Sequence, residues 1–298
     1  MPEILVLSGK GGTGKTTLTA SLAHMARQNG QDPIICDLDV DAPDLHLLLK
    51  PEIQASHEFV SGNEARVDAQ ACTGCGECVE ACRFDAIEMK DDLAVVNPFR
   101  CEGCKVCVTL CPVQAVEFPT CYCGDWHQSI CRFGRMIHAQ LFPGQENSGR
   151  LVALLRQEAR SLAQKRGGEF IISDGPPGIG CPVISSLSGT DLAVVVTEPT
   201  QSGLHDLARV VELCRHFKIP VAVVLNKHDL NPAMSREVET YCLDNDLRLI
   251  GRLPHSPKVV EAMLAGLSLS ECDPQGLGNM ISRIWSQLME LSAEARAA

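Results

Sequence analysis

Two runs of four cysteines share one spacing, and they are the part of this chain whose chemistry is most constrained. Each run reads Cys-x-x-Cys-x-x-Cys-x-x-x-Cys, and the two runs begin 29 residues apart, at Cys72 and Cys101. Three closely spaced thiolates can wrap one face of a four-iron cube, while the fourth must reach a neighbouring cube. Zinc sites and disulfides are the alternatives, but zinc ligands come as two pairs separated by a longer spacer. The spacing therefore predicts two [4Fe–4S] clusters.

The pair of runs resembles a two-cluster bacterial ferredoxin, in which each run gives its fourth cysteine to the other cluster. The resemblance implies two ligand sets, which are Cys72, Cys75, Cys78 and Cys111 for one cluster and Cys101, Cys104, Cys107 and Cys82 for the other. Pro112 follows the second run as in the ferredoxin pattern, but Arg83 stands at the same place after the first. Because a cation beside a cluster favours its reduced state, the two clusters should differ in potential.

A second motif lies near the N-terminus. Residues 3–7 are apolar enough to predict a buried strand, the next residues include GKGGTGKTT, and an apolar-periodic helix is predicted through about Asn29. This is G-x-x-x-x-G-K-[ST] between a strand and a helix, which predicts a phosphate loop. The residues assigned to nucleotide are Gly11, Gly12, Thr13, Gly14, Lys15, Thr16 and Thr17. Lys15 would reach the β- and γ-phosphate oxygens, and the Thr16 hydroxyl would ligate Mg²⁺.

Lys10 adds a sharper clue, because a second lysine at the start of this loop resembles the deviant phosphate loop of the MinD/ParA/Mrp superfamily and nitrogenase iron proteins. That resemblance implies an ATPase in which Lys10 crosses a subunit interface to the partner's nucleotide, so that ATP binding forms a homodimer. A cation supplied in trans neutralises charge that develops on the transferring phosphoryl group. A solvated lysine beside a phosphate site is the alternative.

Three acidic residues at strand ends extend the resemblance. Asp37 and Asp39 follow one predicted strand and resemble switch I, while Asp174 ends a strand predicted to start at Glu169 and precedes Gly-Pro-Pro-Gly, as in switch II. The likeness implies that Asp39 orients the attacking water, that Asp37 lies in the Mg²⁺ shell, and that Asp174 contacts the ion through water. Taken singly, such acids are ordinary turn residues.

The predicted strand 221–225 ends in Asn226, and the four residues from there read N-K-H-D. That string matches the N-K-x-D motif of small GTPases, in which the aspartate binds guanine. In the MinD-like family the same strand end carries an asparagine that contacts adenine. Lys10 and the D-x-P-P-G motif favour the second interpretation, so ATP is the predicted nucleotide, with Asn226 at its base.

Strands alternate with helices along most of the chain, which predicts an α/β fold with a mostly parallel sheet covered by helices on both faces. The predicted P-loop ATPase domain comprises residues 1–55 and 148–298, and an inserted α+β ferredoxin-like domain spans 56–120. Residues 121–147 have no firm predicted structure. Cys121, Cys123 and Cys131 in that segment fit a further metal site, a redox pair or incidental thiols equally well.

The composition excludes several classes of protein. The net charge of −11, without a basic cluster, argues against binding to nucleic acid or to an anionic membrane. No run of eighteen apolar residues predicts a membrane-spanning helix, and the N-terminal sequence does not resemble an export signal. Sixteen cysteines favour a reducing compartment, so a cytoplasmic location is predicted.

Three functions fit these motifs, and all of them include ATP hydrolysis. The first is an ATP-gated electron donor to an unidentified protein partner. The second is an iron–sulfur carrier or assembly factor like Mrp, and the third is a MinD-like switch whose clusters sense redox state. Electron transfer is preferred because two complete cysteine runs resemble permanent sites, whereas Mrp-type carriers generally share one cluster across a dimer.

Overall fold

A nine-stranded sheet organises most of the chain in the computed structural model, which describes residues 2–145, 147–165 and 170–297. The strands are β1 Glu3–Ser8, β2 Ile34–Asp37, β3 Glu52–Asn63, β4 Arg66–Val67, β5 Ile87–Lys90, β6 Leu93–Val96, β7 Val116–Glu117, β8 Thr120–Cys131, β9 Gly134–Leu141, β10 Ile171–Pro177, β11 Leu192–Thr197, β12 Val221–Asn226 and β13 Arg248–Leu253. The helices are α1 Lys15–Gln28, α2 Leu45–Leu49, α3 Glu77–Glu80, α4 Val106–Leu110, α5 Ser148–Lys165, α6 Cys181–Leu187, α7 Gln201–His216, α8 Pro232–Asp244, α9 Lys258–Ala265, α10 Leu269–Cys272 and α11 Leu277–Ala297.

The order of the large sheet is β13-β12-β11-β1-β10-β2-β9-β8-β3. The seven strands from β13 to β9 pair in parallel, which confirms the predicted α/β class. Glu169, predicted at the start of β10, lies outside the described residues. The described residues fall into two compact units, a larger one within Met1–His57, Trp126–Gln140 and Ser148–Ala298, and a smaller one within Glu58–Asp125 and Leu141–Asn147.

Successive side chains along each strand point to opposite faces of the sheet. A different group of helices covers each of these two faces. Ile4, Val6 and Ile172 point into a core shared with Leu22 of α1 and Leu288 of α11. On the opposite face α5 and α6 pack together, and α7 lies against β11. Burial of an aliphatic side chain of this size contributes about 1.5–3 kcal/mol. The helix that follows the phosphate loop is therefore anchored by its apolar face.

The C-terminal helix α11 packs on the sheet against β13 and β11. Its side chains Ile281, Ile284 and Trp285 are buried, and Trp285 meets the edge of Phe170 with 5.7 Å between ring centroids. None of the helices in the described part of the chain is long and apolar enough to cross a membrane.

Residues 121–147, for which the sequence predicted no structure, contain most of β8 and all of β9. The two strands are joined by Arg132 and Phe133, without the glycine or asparagine that usually marks a tight hairpin. The turn is held instead by the Arg132 guanidinium, which donates to the Glu271 carboxylate at 2.7 and 2.8 Å and to the carbonyl oxygens of Leu48 and Leu49. These partners are distant in sequence, which explains why no local pattern predicted the hairpin.

The smaller unit contains two short antiparallel pairs, β4 with β7 and β5 with β6. The cysteine repeat is visible in its backbone. Gly76 before α3 and Lys105 before α4 both have a positive φ, of 79° and 68°. Asp85 and Gln114, which follow the last cysteine of each run by three residues, also have a positive φ, of 50° and 56°. The two halves of the unit therefore repeat one local conformation.

Candidate functional site

The phosphate loop connects β1 to α1 and faces the N-terminus of that helix. Gly12 and Gly14 have φ values of 78° and 95°, a region that glycine enters without strain. A Cβ atom on Gly14 would lie 2.4 Å from the Asn226 amide nitrogen, which donates to the Thr13 carbonyl oxygen at 2.7 Å. The end of β12 is therefore bound directly to the loop. Backbone N–H groups at such a helix N-terminus attract phosphate oxygens.

Lys15 lies at the centre of an acidic group at the carboxyl ends of the strands. Its ammonium is 3.1 Å from Asp174 Oδ1 and 3.5 Å from Asp39 Oδ2, and the side chain is only 6% exposed. Burial disfavours the charged ammonium, but the carboxylates of Asp174, Asp39 and Asp37 outweigh it and raise the pKa of Lys15. This lysine is therefore charged and available to phosphate oxygens.

Three carboxylates, those of Asp37, Asp39 and Asp174, surround the single ammonium of Lys15. The excess negative charge suits a bound divalent cation. Asp37 pairs in register with Asp174 across neighbouring parallel strands, and burial followed by repulsion from Asp174 raises the pKa of Asp37 well above its ordinary value. The Thr16 hydroxyl donates to Asp174 Oδ2 at 2.7 Å. A hydroxyl beside carboxylates is an all-oxygen donor set of the kind Mg²⁺ prefers. The structure thus brings together Thr16, Asp37 and Asp174, the three residues predicted for magnesium.

Lys10 lies on the other side of the loop and is bound within its own chain. Its ammonium is 2.5 Å from Glu198 Oε1 and donates to Ser202 Oγ at 3.0 Å. Glu198 also accepts from Lys227, at 3.1 Å, and Lys227 donates to the Gly12 carbonyl oxygen at 3.0 Å. This role of Glu198 was not predicted from the sequence, although Glu198 directly follows β11.

A cavity of about 670 Å³ runs along this face of the larger unit, a volume in the range of small-molecule sites. It is lined by the phosphate loop, by Asp39 and Asp41, by Pro176 and Pro177, and by Asn226. One buried polar atom here, Thr13 Oγ1, has no hydrogen-bond partner among the described residues. A buried hydroxyl needs a partner, and the phosphate oxygens of a nucleotide supply it.

The far end of the cavity distinguishes between the two nucleobase hypotheses. Asn226, Lys227, Pro254 and His255 line it. The carboxylate of Asp229, which would read guanine in a GTPase, instead accepts from the backbone N–H of His255 at 2.6 Å. Asp229 thus binds the backbone at His255 and is not among the residues that line the cavity. This arrangement favours adenine over guanine as the base.

We expect Asp229→Asn to leave the ratio of ADP to GDP affinity unchanged within about twofold. A site built to bind a base through a carboxylate would instead lose orders of magnitude for GDP. The matched variant Asn226→Ala should weaken ADP binding by about three- to tenfold, because it removes a hydrogen bond that fixes the loop. Calorimetry with MgADP and MgGDP measures both effects. A selective loss of GDP affinity in Asp229→Asn would contradict the prediction.

Cys111 of the second run lies with three cysteines of the first. A small cavity, of about 20 Å³, is lined by Cys72, Cys75, Cys78 and Cys111. Burial raises the pKa of the Cys78 thiol, and the nearby thiols of Cys75, Cys72 and Cys111 raise it further. Cys111 therefore faces the first run rather than its own.

The second run groups Cys101 and Cys104 around Cys107. Burial raises the pKa of its thiol, and the neighbouring thiols of Cys101 and Cys104 add to this effect. Among the described residues no three His, Cys, Asp or Glu side chains converge tightly enough for a single metal ion. In a cubane each thiolate binds a different iron, so its ligands stand further apart than those of one ion.

Three backbone N–H groups point at sulfurs of the two runs. Ala86 donates to Cys82 at 3.3 Å and Ala115 to Cys111 at 3.2 Å, each four residues beyond its cysteine. Ala65 donates to Cys101 at 3.5 Å. Hydrogen bonds to sulfur stabilise thiolate charge and tune the potential of iron–sulfur ligands. The donor set thus fits the two predicted clusters.

The other cysteines singled out from the sequence have ordinary environments. Burial and the nearby Cys123 raise the pKa of Cys121 to about 11, so it is a protonated thiol at neutral pH. Cys123 is buried and donates to the Ser61 carbonyl oxygen at 3.0 Å. Cys131 belongs to the apolar core of the larger unit.

Comparison with known proteins agrees with this geometry. The model of the CobQ/CobB/MinD/ParA nucleotide binding domain matches residues 4–269, so the chain belongs to this family, and it is a P-loop ATPase. The uncharacterized protein MJ0578 of Methanocaldococcus jannaschii is 35% identical over 77% of this chain and 79% of its own length. A cytosolic Fe-S cluster assembly factor NUBP1 homolog of Caenorhabditis briggsae is 22% identical, covering 99% and 80%. The crystal structure of the Pyrococcus furiosus cell division ATPase MinD aligns with a TM-score of 0.59 at 20% identity, covering 98% of this chain and all of that one.

Proposed function

We propose that this ATPase carries two resident [4Fe–4S] clusters in its smaller unit and that its nucleotide state gates electron delivery to a protein partner. The observation that carries the proposal is the cavity in which Cys111 of the second run meets Cys72, Cys75 and Cys78 of the first. This grouping is one half of the exchange of fourth ligands in the ferredoxin pattern, and Cys82 is predicted to complete the other half. Incidental thiols have no reason to exchange partners in this way.

The cysteine loops are suited to permanent sites. Cys78 and Cys107 are each 8% exposed and pack in the core of the smaller unit. The N–H groups of Ala86 and Ala115 hold Cys82 and Cys111 from loops with positive φ. When bound, the clusters supply one-electron storage at low potential. Free thiols in this number favour a reducing compartment, so we propose a cytoplasmic protein.

In the larger unit the residues around the γ-phosphate would sense the nucleotide. Asp39 and Pro177 line the same cavity as the loop, so ATP and ADP would contact the two switches differently. A ligand shifts a conformational equilibrium only through such differential contacts. Lys10 would leave Glu198 to reach a second subunit's nucleotide, so that ATP closes a homodimer and hydrolysis reopens it. Asp39 would hold the attacking water, and Lys15 the phosphate oxygens.

The experiment is an anaerobic redox titration followed by EPR, with iron and sulfide analysis. It is run without nucleotide, with MgADP and with a non-hydrolysable MgATP analogue. We expect about eight irons per chain, four for each cluster, and midpoint potentials that move with nucleotide. Eight irons with midpoint potentials that do not change with nucleotide would reject gated electron transfer and leave a redox-sensing switch. Four irons or fewer would reject two resident clusters.

Cluster assembly is the second candidate, favoured by the similarity to the NUBP1 homolog over 99% of this chain. It makes a distinct prediction, because a carrier must release its cluster to an acceptor. Incubation of the loaded protein with a cluster-free acceptor ferredoxin and MgATP should then transfer iron. Retention of all iron while the acceptor stays empty supports the resident sites.

A further inference from the structure

The charges that flank the cysteines divide unequally between the two ligand sets. Beside the set Cys72, Cys75, Cys78 and Cys111, the chain neighbours include one charged residue, Glu77. Beside the other set they include four, which are Arg83, Arg100, Glu102 and Lys105. The first ligand set thus has an excess of one negative charge from its chain neighbours, and the second an excess of two positive charges.

The contacts of Arg100 place its cation between two ligand loops of the second set. Arg100 directly precedes Cys101, and its guanidinium donates to the Asp85 carbonyl oxygen at 3.4 Å. Asp85 lies in the loop that the Ala86 N–H closes onto Cys82 Sγ. The exposed guanidinium therefore belongs to the residue before Cys101 and contacts the loop that follows Cys82.

Lys105 is also held in place. It follows Cys104 with a φ of 68°, and its ammonium lies 5.8 Å from the centroid of the Phe118 ring. Phe118 packs against the core that contains Cys107. A cation over an aromatic face is attracted by the ring, so this exposed side chain is drawn towards the core that contains Cys107.

We infer that the second set, Cys101, Cys104, Cys107 and Cys82, holds the cluster of higher potential and takes the first electron. The inference rests on the proposed function. Reduction adds one electron and one negative charge to a cluster, which nearby cations favour and nearby carboxylates oppose. Surface charges beyond about 8 Å are largely screened at physiological salt, so the flanking residues should dominate. Electrons would then collect at the second set whichever set receives them first.

The internal repeat supplies the substitutions that test this inference. Each cation can be replaced by the residue at the same place in the other run, which gives Lys105→Gly, Arg83→Pro and Arg100→Ala. Gly76, Pro112 and Ala71 already occupy those places. Glycine also relieves the positive φ at position 105. Lys105→Arg keeps the charge and serves as the matched control, while Glu77→Gln changes the charge beside the first set.

The measurement is a dithionite titration with mediators, in which dithionite is oxidised and each cluster gains one electron, followed by EPR. We expect the first electron to prefer one cluster by at least about tenfold, which is 59 mV for a one-electron couple. Lys105→Gly, Arg83→Pro and Arg100→Ala should each lower the upper potential and leave the lower one in place. Lys105→Arg should match the unmodified protein, and Glu77→Gln should raise the lower potential.

The outcomes separate this inference from the proposed function. Four irons or fewer per chain in the unmodified protein would reject the two clusters and this inference with them. Eight irons with equal potentials, or cation variants that move only the lower potential, would reject the inference alone. Arg100→Ala keeps the test decisive if Lys105→Gly or Arg83→Pro fails to load iron, because it alters neither a positive φ nor the residue after Cys82.

Discussion

Replacing Lys10 with alanine is expected to abolish ATP-dependent dimerisation and to lower the rate of ATP hydrolysis by about 10³-fold or more, the effect of losing a cation supplied in trans. The side chain is one-third exposed and bound to Glu198, outside the Lys15 group. It is thus free to exchange one anionic partner for another. Binding of nucleotide to the single subunit should survive, because the loop, Lys15 and Asn226 are untouched.

Lys227→Ala is the matched control for this prediction. Lys227 shares the Glu198 carboxylate with Lys10, but its ammonium donates to Gly12 of its own loop. Its removal should weaken nucleotide binding yet still permit dimers at saturating ATP. Light scattering after size-exclusion chromatography, with a non-hydrolysable analogue, measures the assembly, and phosphate release measures hydrolysis. Dimers of Lys10→Ala as abundant as those of the unmodified protein would show that this lysine does not act across an interface.

Cys111→Ala should remove the cluster held by Cys72, Cys75 and Cys78. The cluster held by Cys101, Cys104 and Cys107 should stay intact. The reason is that Cys111 lines the cavity of Cys72, Cys75 and Cys78. Iron should fall from about eight per chain towards four, with one EPR-active cluster left. Cys123→Ala, outside both sets but in the same unit, is the control and should keep its full iron content.

Paired substitutions decide which cysteines share a cluster. Groups that act on one site are not additive, whereas independent sites add. Cys75→Ala combined with Cys111→Ala should therefore lose no more iron than either change alone. Cys104→Ala combined with Cys111→Ala should lose both clusters. The opposite pattern would mean that each run binds its own cluster without exchange.

The phosphate site could be predicted from sequence because its loop follows one buried strand and its acidic and amide side chains lie at the ends of others. β1, β2, β10 and β12 are short apolar runs followed by glycine, aspartate or asparagine, and parallel strands bring such ends to one edge of a sheet. Their observed bounds therefore differ little from the predicted ones. The role of Asp39 was implied by family resemblance alone, and the fold brings its carboxylate to 3.5 Å from the Lys15 ammonium.

Interactions that depend on tertiary packing could not be predicted in the same way. The hairpin of β8 and β9 lacks a turn motif because Arg132 is held by residues far away in the chain. The joint binding of Lys10 and Lys227 by Glu198 depends on the placement of two strand ends beside one loop. Local patterns of hydrophobicity contain no information about such partners.

The position of Cys111 has a consequence for how the smaller unit could have arisen and how it can be divided. Two equal repeats suggest a duplicated module that could be returned to a single copy. On the proposed two clusters, with Cys111 beside Cys72, Cys75 and Cys78, deletion of either repeat would leave one incomplete site and an unmatched cysteine, and no intact half. Truncation or domain-swapping experiments must treat both repeats as one indivisible part.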